Sequence, residues 1–343
     1  MWAIDEEGRV SDRTLEVGDR TVTPGTAARA SLPLMEMPDG TDIRLPLLLV
    51  NGAAPGPRLY LGAAIHGDEV NGVEILARAM AQVSPAQLSG SIVCVPVQNP
   101  LAFHGDHRIP IGHYLKSPLD QTPIDPWSAF PGSAEGNFAE RLAHTLFSLI
   151  TRCEYAIDCH TPTRGGRYPP ITILPPAALG EAARRAEDLA VAFGAGYLMK
   201  TESGFYIRDG ILCVEATRAG VPAFTFEIGE GGRVEPVMIA EGVRCVINAL
   251  RHLKMLPGAV VPPAQTVRLR QFIGVRATRG GLLHTEVPLC ARVREGEVLA
   301  RTVDIYGDEV EAFPAPADGI FIRATTLSTV TTGERVITVG VIE

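Results

Sequence analysis

The chain has 343 residues, of which 46% are hydrophobic and 20% are charged. This is typical of a globular protein with one large or two medium domains. The net charge of −8 disfavours a general surface for nucleic acid or anionic membranes. No apolar stretch is long enough to span a bilayer, and we expect no signal peptide. The six cysteines include no C-x-x-C pair and are expected to be buried thiols. These features predict a cytoplasmic protein without nucleic-acid or membrane partners.

Three regions follow one another along the chain. Residues 1–50 form a predicted N-terminal β segment. In residues 51–256, predicted strands alternate with predicted helices, which favours an α/β domain whose mixed, mainly parallel sheet has helices on both faces. The loop 101–134 is rich in Gly, Pro and His, and a loop of that length is usually functional. After two proline-containing turns, residues 264–343 carry short strands and turns, which predict a small all-β domain.

The predicted strands of residues 51–256 cover 59–65, 91–97, 155–159, 171–174 and 221–228. One predicted helix begins after His66. Three others cover about 136–150, 180–193 and 236–254. In parallel sheets, ligands bind beyond the carboxyl ends of the strands. Polar residues that end or follow predicted strands are therefore expected to converge at one edge of the sheet, and these residues are His66, Asn99, His160 and Glu227.

His66, Glu69 and His160 are the candidate metal ligands. His66 and Glu69 lie three residues apart, so both side chains can reach one ion from the start of a helix. Two imidazoles and a carboxylate form a ligand set used in catalytic zinc sites, where an open position accepts water. Alone, the pair fits an ordinary histidine equally well, but a second histidine at the end of a separate strand favours a metal. Three loop histidines form a rival candidate cluster, namely His104, His107 and His113.

Four further residues are candidates for catalysis or its support. Glu227 closes an apolar strand, where burial would raise its pKa and suit it to act as a general base. Glu230 competes for that role from a glycine-rich loop. Arg108 can stabilise an oxyanion, or can form a surface ion pair. Asp158 can orient His160, or can be satisfied by backbone donors.

Together these motifs resemble the succinylglutamate desuccinylase/aspartoacylase family, of the zinc carboxypeptidase-like superfamily. The similarity rests on Gly62-Ala-Ala-Ile-His66-Gly-Asp-Glu69, Gln98-Asn99-Pro-Leu-Ala, Asp158-Cys-His160-Thr and Phe226-Glu227-Ile-Gly. The resemblance implies a zinc carboxypeptidase-like fold and one Zn²⁺ per chain, bound by His66, Glu69 and His160. It also implies that Glu227 is the catalytic glutamate, that Arg108 polarises the scissile carbonyl, and that Asn99 belongs to the site. The tail resembles a biotinyl/lipoyl-type hammerhead without its lysine.

One segment departs from the family pattern. The family commonly has Asp-Leu-Asn-Arg-x-Phe-Pro-Gly, and this chain has Asp-Pro-Trp-Ser-Ala-Phe-Pro-Gly at 125–132. Trp127 and Ser128 thus replace the Asn-Arg pair that holds a substrate carboxylate, and a serine cannot imitate a bidentate arginine. Arg164 or Arg167 could bind a carboxylate from another direction. Alternatively, the substrate lacks a carboxylate there, and Trp127 stacks on an apolar or cationic group.

The expected function is zinc-dependent hydrolysis of the amide in a small N-acyl amino acid or N-acyl amine. One alternative is a metallocarboxypeptidase, which the missing carboxylate clamp disfavours. Another is a non-catalytic binding protein, which has no need of a base and an oxyanion partner. The expected partner is a small N-acyl molecule, and the family resemblance also suggests a homo-oligomer.

Overall fold

The structure is a computed structural model that describes residues 13–114 and 122–343. The first twelve residues of the predicted N-terminal segment and residues 115–121 of the predicted loop lie outside the described residues, as does the side chain of His113. One of the three predicted regions, and most of the other two, can therefore be compared with the structure.

Strands make up most of the regular structure. The described residues form eighteen strands: β1 Leu15–Val17, β2 Arg20–Val22, β3 Thr26–Glu36, β4 Asp42–Asn51, β5 Ala54–Ala63, β6 Ser89–Val95, β7 Tyr155–His160, β8 Gly166–Ile173, β9 Tyr197–Met199, β10 Ala223–Glu230, β11 Val267–Arg276, β12 Gly281–Thr285, β13 Arg292–Val293, β14 Val298–Val303, β15 Glu309–Pro314, β16 Gly319–Thr325, β17 Thr329–Val330 and β18 Arg335–Ile342.

All the α-helices precede the β-rich tail. The described residues form seven: α1 Val70–Met80, α2 Pro100–Gly105, α3 Ile111–Tyr114, α4 Phe138–Ile150, α5 Glu181–Phe193, α6 Leu212–Arg218 and α7 Pro236–His252. None of the helices in this part of the chain has the length and apolar character needed to cross a membrane. All six cysteines are free, and Cys290 alone among them is not fully buried.

Helix α4 shows how local sequence sets an element that lies beside the site. Asn137 accepts a hydrogen bond from the backbone N–H of Glu140, and the Glu140 carboxylate accepts one from the backbone N–H of Asn137. This capping box satisfies two N–H groups that the first helical turn leaves free. The apolar positions then recur on one face, so the helix buries Leu142 and Leu146 against the sheet.

Twelve strands form one mixed sheet in the order β13-β16-β18-β11-β9-β8-β10-β7-β5-β6-β4-β3. At its centre β10, β7, β5 and β6 are parallel neighbours. Toward one end β4 and β3 add antiparallel strands. Toward the other end β8 lies antiparallel to β10, and the tail strands β11, β18, β16 and β13 pair antiparallel with one another. The prediction of an α/β fold with a mixed sheet therefore holds, but parallel pairing dominates only at the centre.

The sheet closes on itself at its tail end. Strand β16 pairs with β18, β18 with β11, β11 with β9 and β9 with β8, and β16 also pairs directly with β8. These five strands form a small barrel whose interior is filled by an apolar cluster that includes Ile171, Leu269 and Ile322. Sequence periodicity indicated strands in the tail, but it carries no information on which distant strand each one pairs with.

The C-terminal region is rich in β-structure, as predicted, but half of its strands are continuous with the main sheet. The other four tail strands form a separate sheet in the order β15-β14-β12-β17. A division of the chain into 1–50, 51–256 and 264–343 as folding units stays a prediction. The hydrogen bonds from β8 and β9 to β16 and β11 join the last two regions directly.

Helices cover both faces of the central strands. On one face α1, α5 and α7 contribute Ile75, Phe193 and Val246 to a buried apolar cluster. On the other face α4 and α6 contribute Leu146 and Leu212 to a second cluster. Burial on both faces explains why β7 and β10 are continuous apolar runs rather than alternating ones. The sequence did not predict β9 or α6, both of which are short.

Gly67 fixes the segment that carries the candidate ligands. Its backbone N–H donates to the carbonyl of His107 at 2.9 Å, so the chain after β5 lies directly against α2. A Cβ at this position would come within 2.0 Å of the carbonyl carbon and oxygen of Ala102. Backbone atoms cannot move aside as a flexible side chain can, so only glycine fits between His66 and Asp68.

We expect Gly67→Ala to lower the free energy of unfolding by about 1–3 kcal/mol or more, because the added methyl forces α2 away from the ligand segment. Urea unfolding monitored by circular dichroism measures this. Gly105→Ala is the matched control, since its Cβ would meet only a ring carbon of His107, at 4.0 Å. Equal unfolding midpoints for the two variants would contradict the close approach.

Candidate metal centre

The candidate site lies where three neighbouring parallel strands end. His66 follows β5, His160 is the last residue of β7, and Glu227 lies opposite His160 on β10. Because these strands run in the same direction, their carboxyl ends meet at one edge of the sheet. The structure therefore brings together three of the four residues that the sequence placed there.

His66, Glu69 and His160 form one compact group of donor atoms. Glu69 Oε1 lies 2.6 Å from Nδ1 of His66, and Glu69 Oε2 lies 2.9 Å from Nδ1 of His160. One ligand atom from each residue lies within 4.8 Å of the others. All three side chains are only 2% exposed. The Glu69 carboxylate thus lies between two imidazoles in a site closed to bulk water.

The outer nitrogens of both imidazoles face carboxylates. Nε2 of His160 lies 2.7 Å from Asp158 Oδ2, and Nε2 of His66 lies 3.2 Å from Asp125 Oδ1. A carboxylate at Nε2 favours the tautomer that carries its proton there, which leaves a lone pair on Nδ1. Both Nδ1 atoms face Glu69: protonated rings donate hydrogen bonds to its carboxylate, and neutral rings can share a cation with it. Two imidazole nitrogens and a carboxylate arranged in this way fit a divalent metal ion.

The electrostatics of Glu69 are consistent with a buried anion that binds cations. Burial acts to raise its pKa, but the positive charges of His66 and His160 and their hydrogen bonds outweigh this and lower it below the usual range. The carboxyl group therefore stays ionised despite its burial. A buried carboxylate persists only when positive groups compensate it, as they do here.

Glu227 is a buried carboxyl group with one uncommitted oxygen. Its Oε1 accepts a hydrogen bond from the Tyr206 hydroxyl at 3.0 Å. Its Oε2 is buried and has no partner among the described residues. Burial, followed by the negative charge of Glu69, raises the pKa of Glu227 to about 7. A carboxyl group with this pKa can accept and return a proton near neutral pH.

Arg108 lies beside the same group and is held in place. Its Nε and Nη2 donate to Asp125 Oδ2 at 3.2 and 3.0 Å, and its Nη1 donates to Thr163 Oγ1 at 2.9 Å. Nη1 also lies 3.8 Å from Glu69 Oε1. Asp125 therefore connects Arg108 to His66. Burial acts to raise the pKa of Asp125, but the hydrogen bond and charge of His66 and the charge of Arg108 lower it.

These groups line a cavity of about 460 Å³. Trp127 and Ser128, which the sequence predicted to bind substrate, also line it, and that role stays a prediction. The Trp127 ring lies edge-on to the rings of His66 and His160, with centroids 6.0 and 5.9 Å apart, and covers the imidazoles on one side. Its indole Nε1 is buried and has no hydrogen-bond partner within the part of the chain that the structure describes. Ser128 donates to the carbonyl of Asp125 at 3.2 Å.

Three predicted substrate-binding residues lie elsewhere. Asn99 is fully buried and caps α2: its side chain accepts from the N–H of Ala102 and donates to the carbonyl of Ile65. Arg164 is half exposed and pairs with Asp106, and Arg167 pairs with Glu235. None of the three lines the cavity. Each of these side chains already binds other groups, and the roles of Asn99, Arg164 and Arg167 in binding substrate stay predictions.

The alternatives considered for the metal and for the base can also be compared with the structure. Within residues 13–114 and 122–343, His66, Glu69 and His160 are the group found with metal-ligand geometry, and His104 and His107 belong to none. The side chain of His113, the third member of the rival cluster, lies outside the described residues. Glu230 accepts from Thr326 Oγ1 at 2.7 Å and does not line the cavity.

Sequence reasoning missed several residues of the cavity. Asp125 could have been found, because it begins the segment that departs from the family pattern. The others belong to no motif that the sequence analysis used: two lie just after β7 and on β8, and the rest come from the loop before α6 and from distant strands of the β-rich tail. The missed cavity residues are Asp125, Thr163, Tyr168, Phe205, Tyr206, Arg208, Arg276, Arg323 and Arg335.

The fold is a mixed α/β sheet with a His-Glu-His donor set beyond its central parallel strands. Together with a buried carboxyl group and a fixed arginine, this arrangement is that of a hydrolase with a candidate metal site. Comparisons with known proteins agree with this class. Residues 55–253 match the model of the succinylglutamate desuccinylase/aspartoacylase catalytic domain. This chain belongs to the succinylglutamate desuccinylase/aspartoacylase family, as its motifs predicted, and is accordingly an amide-hydrolysing deacylase.

Individual relatives extend the comparison to the whole chain. The N-alpha-acetyl-L-2,4-diaminobutyric acid deacetylase of Halomonas elongata is 27% identical over 307 residues, which cover 86% of this chain and 84% of that protein. The product-bound ectoine utilization protein EutE (DoeB) of Ruegeria pomeroyi has a TM-score of 0.81 at 22% identity, over 96% of this chain and 98% of that one. A succinylglutamate desuccinylase from a Silicibacter species has a TM-score of 0.82 at 20% identity, over 97% and 99% of the two chains. The two structures show that the fold is shared.

Asp158 supplies a test of the donor arrangement. We expect Asp158→Asn to weaken metal binding by about 10–100-fold, because a carboxylate that orients a histidine ligand is typically worth that much. Competition with a chromophoric chelator measures the affinity directly. The exposed Asp188→Asn is the matched control. Equal affinity in the two variants would show that Asp158 does not hold the His160 ring in its ligating orientation.

Proposed function

We propose that this protein is a zinc-dependent deacylase that hydrolyses the amide of a small N-acyl amino acid, with His66, Glu69 and His160 as the metal ligands. The observation that carries the proposal is the buried Glu69 carboxylate, which lies between the Nδ1 atoms of both histidines at 2.6 and 2.9 Å. Family membership supports the reaction class, and the donor set supports the choice of metal.

Two histidines and one glutamate form a zinc ligand set that leaves a coordination position open. When bound in such a set, zinc polarises a carbonyl and lowers the pKa of a water molecule to about 7. The residues around the set support this role, because Asp158 and Asp125 hold the outer nitrogens and leave both Nδ1 lone pairs free.

Glu227 is proposed as the general base and acid. Its Oε2 is buried without a partner, so it can receive the proton of the attacking water. The pKa of about 7, raised by burial, lets the same oxygen return that proton to the departing amine. Tyr206 donates to Oε1 and thereby fixes which oxygen is free. Proton transfer is therefore assigned to Oε2.

Arg108 and Trp127 are proposed to act on the substrate carbonyl and its surroundings. Asp125 and Thr163 fix the Arg108 guanidinium, so its positive charge is available to an oxyanion without rearrangement. Trp127 covers both imidazoles and excludes water from that side of the site. Its unpartnered Nε1–H, together with Ser128, offers polar contacts for a bound acyl compound.

The substrate is proposed to be a small molecule. A cavity of about 460 Å³ has room for an N-acyl amino acid. A deacetylase of an N-acetylated diamino acid is among the relatives, and desuccinylases are among the solved structures of the same fold. These names support an acetyl or succinyl group on an amino-acid nitrogen. Trp127 and Ser128, which stand in place of an asparagine and an arginine, disfavour a peptidase that must hold a C-terminal carboxylate at that position.

Metal removal tests the proposed reaction. We expect a chelator to abolish hydrolysis of N-acetyl and N-succinyl amino acids, and added zinc to restore it, because no other group here supplies a Lewis acid. Ninhydrin detection of the released amine measures turnover. Peptides with free C-termini form the comparison panel and are expected to be poor substrates. Amide hydrolysis that survives complete chelation would refute the proposal, and faster cleavage of the peptides would replace it with a carboxypeptidase.

Glu227→Gln tests the base independently of the metal. We expect kcat to fall by about 10²–10⁴-fold, the usual contribution of a positioned general base, with the zinc content unchanged. Steady-state kinetics and atomic absorption provide the two measurements. Glu230→Gln is the matched control, because Glu230 lies on the same strand but binds Thr326 outside the cavity. Comparable kcat losses in both variants would assign the effect to the strand rather than to the base.

A further inference from the structure

Besides Arg108, four arginines line the cavity that contains the candidate metal ligands. Arg208 lies in the loop before α6, and its guanidinium lies over the Phe205 ring at 5.5 Å. The other three come from the β-rich tail: Arg276 ends β11, Arg323 lies within β16 and Arg335 begins β18. Closure of the barrel brings these three strands to the cavity. All the other residues that line the cavity come before residue 228 in the chain.

These arginines have no anionic partner in the described part of the chain. The carboxylates of the cavity pair with other groups: Glu69 faces two histidines, Asp125 faces Arg108, and Oε1 of Glu227 accepts from Tyr206, while Oε2 of Glu227 has no partner among the described residues. The arginines form no ion pair with any carboxylate among residues 13–114 and 122–343. Arg276 donates instead to the carbonyl of Gly333, at 2.7 Å. The cavity thus keeps an excess of positive charge, although the whole chain has a net charge of −8.

Two of these arginines oppose each other directly. Arg276 and Arg335 are Cα partners on the antiparallel strands β11 and β18. Like charges at directly opposite positions destabilise a sheet. No neighbouring carboxylate in the described residues offsets this repulsion, so the protein without a ligand carries an unfavourable interaction at the cavity.

Arg323 adds an independent observation. Its Nη1 is buried from solvent and has no hydrogen-bond partner in the described residues. A buried donor without a partner is unfavourable, and more so when the group is charged. Arg323 lies on β16, opposite Thr338 of β18, and therefore on the strand beside Arg335. The cavity is therefore lined by a buried guanidinium nitrogen without a partner and by two arginines that repel each other. An anion bound there would accept a hydrogen bond from the first and reduce the repulsion between the other two.

We propose that Arg276, Arg323 and Arg335 form a subsite that binds a carboxylate of the substrate. This inference rests on the proposed function, and it assigns substrate recognition to the β-rich tail. Arginine binds carboxylates through two parallel hydrogen bonds, which a serine at position 128 cannot supply. A cationic cavity also attracts anionic substrates. It disfavours substrates that carry a free ammonium group where the carboxylate would lie.

Matched substrate pairs test the subsite. The two members of a pair differ only in that one has a carboxylate where the other has a carboxamide. This group lies at the α-carbon in one kind of pair, in the side chain in a second, and at the far end of the acyl group in a third. We expect Arg323→Gln and Arg335→Gln to lower kcat/KM by about 10–100-fold for the carboxylate member of at least one pair. For the carboxamide member of that pair, kcat/KM of the variants should differ from that of the wild type by no more than about two-fold. The affected pair identifies which carboxylate is bound.

Control variants separate binding from damage to the fold. Arg279→Gln removes an exposed arginine of the same region that does not line the cavity, and it should leave every pair unchanged. Arg323→Lys keeps the charge but not the bidentate geometry, and it should recover only part of the loss. If kcat/KM of the Arg323→Gln and Arg335→Gln variants fell equally for both members of every pair, or did not fall at all, the proposed subsite would be overturned.

A binding measurement keeps the test independent of turnover. We expect succinate, but not succinamide, to raise the thermal midpoint of the wild type, and Arg323→Gln to lose most of this rise. Without anion, Arg335→Gln should be at least as stable as the wild type, because it removes the repulsion with Arg276. Equal shifts with succinate in the wild type and both variants would exclude the subsite. A succinate shift that depends on these arginines in a protein that hydrolyses no amide would instead refute the proposed function alone.

Discussion

The site depends on one buried carboxylate. Glu69 is removed from water and lies between two imidazoles, so its charge must be compensated within the protein. Each compensating group is held by a further partner, since Asp158 faces His160 and Asp125 faces His66. Asp125 also fixes Arg108. The metal ligands, the orienting carboxylates and the arginine proposed for the carbonyl therefore form one connected network, in which the loss of a member leaves a charge unpaired.

The fold adds a second source of charge from a distant part of the chain. Strand β16 pairs with β8, which closes a five-stranded barrel and places tail arginines at the mouth of the cavity. The central sheet thus carries the groups proposed to react, and the barrel carries the positive charge proposed for recognition. In the proposed scheme this separation lets substrate preference change through the tail, while the network around Glu69 stays intact.

Much of the site could be predicted because its signals are local. His66 and Glu69 share one short segment, and His160 and Glu227 end apolar runs that a parallel sheet aligns at one edge. The same locality limits what a motif shows. Asn99 lies at the end of a strand, but its amide is consumed by capping α2, and hydrogen bonds of this kind become visible only in three dimensions.

By itself the sequence determined the class of the fold, the longer helices, the candidate donor set and the family, because periodicity and short motifs are properties of neighbouring residues. Tertiary structure alone decided the mixed pairing of the sheet, the closure of the barrel, and the approach of Tyr206 and the tail arginines to the cavity. These features depend on contacts between residues far apart in the chain. Such contacts are selected by the packing of whole strands and helices, which no local pattern encodes.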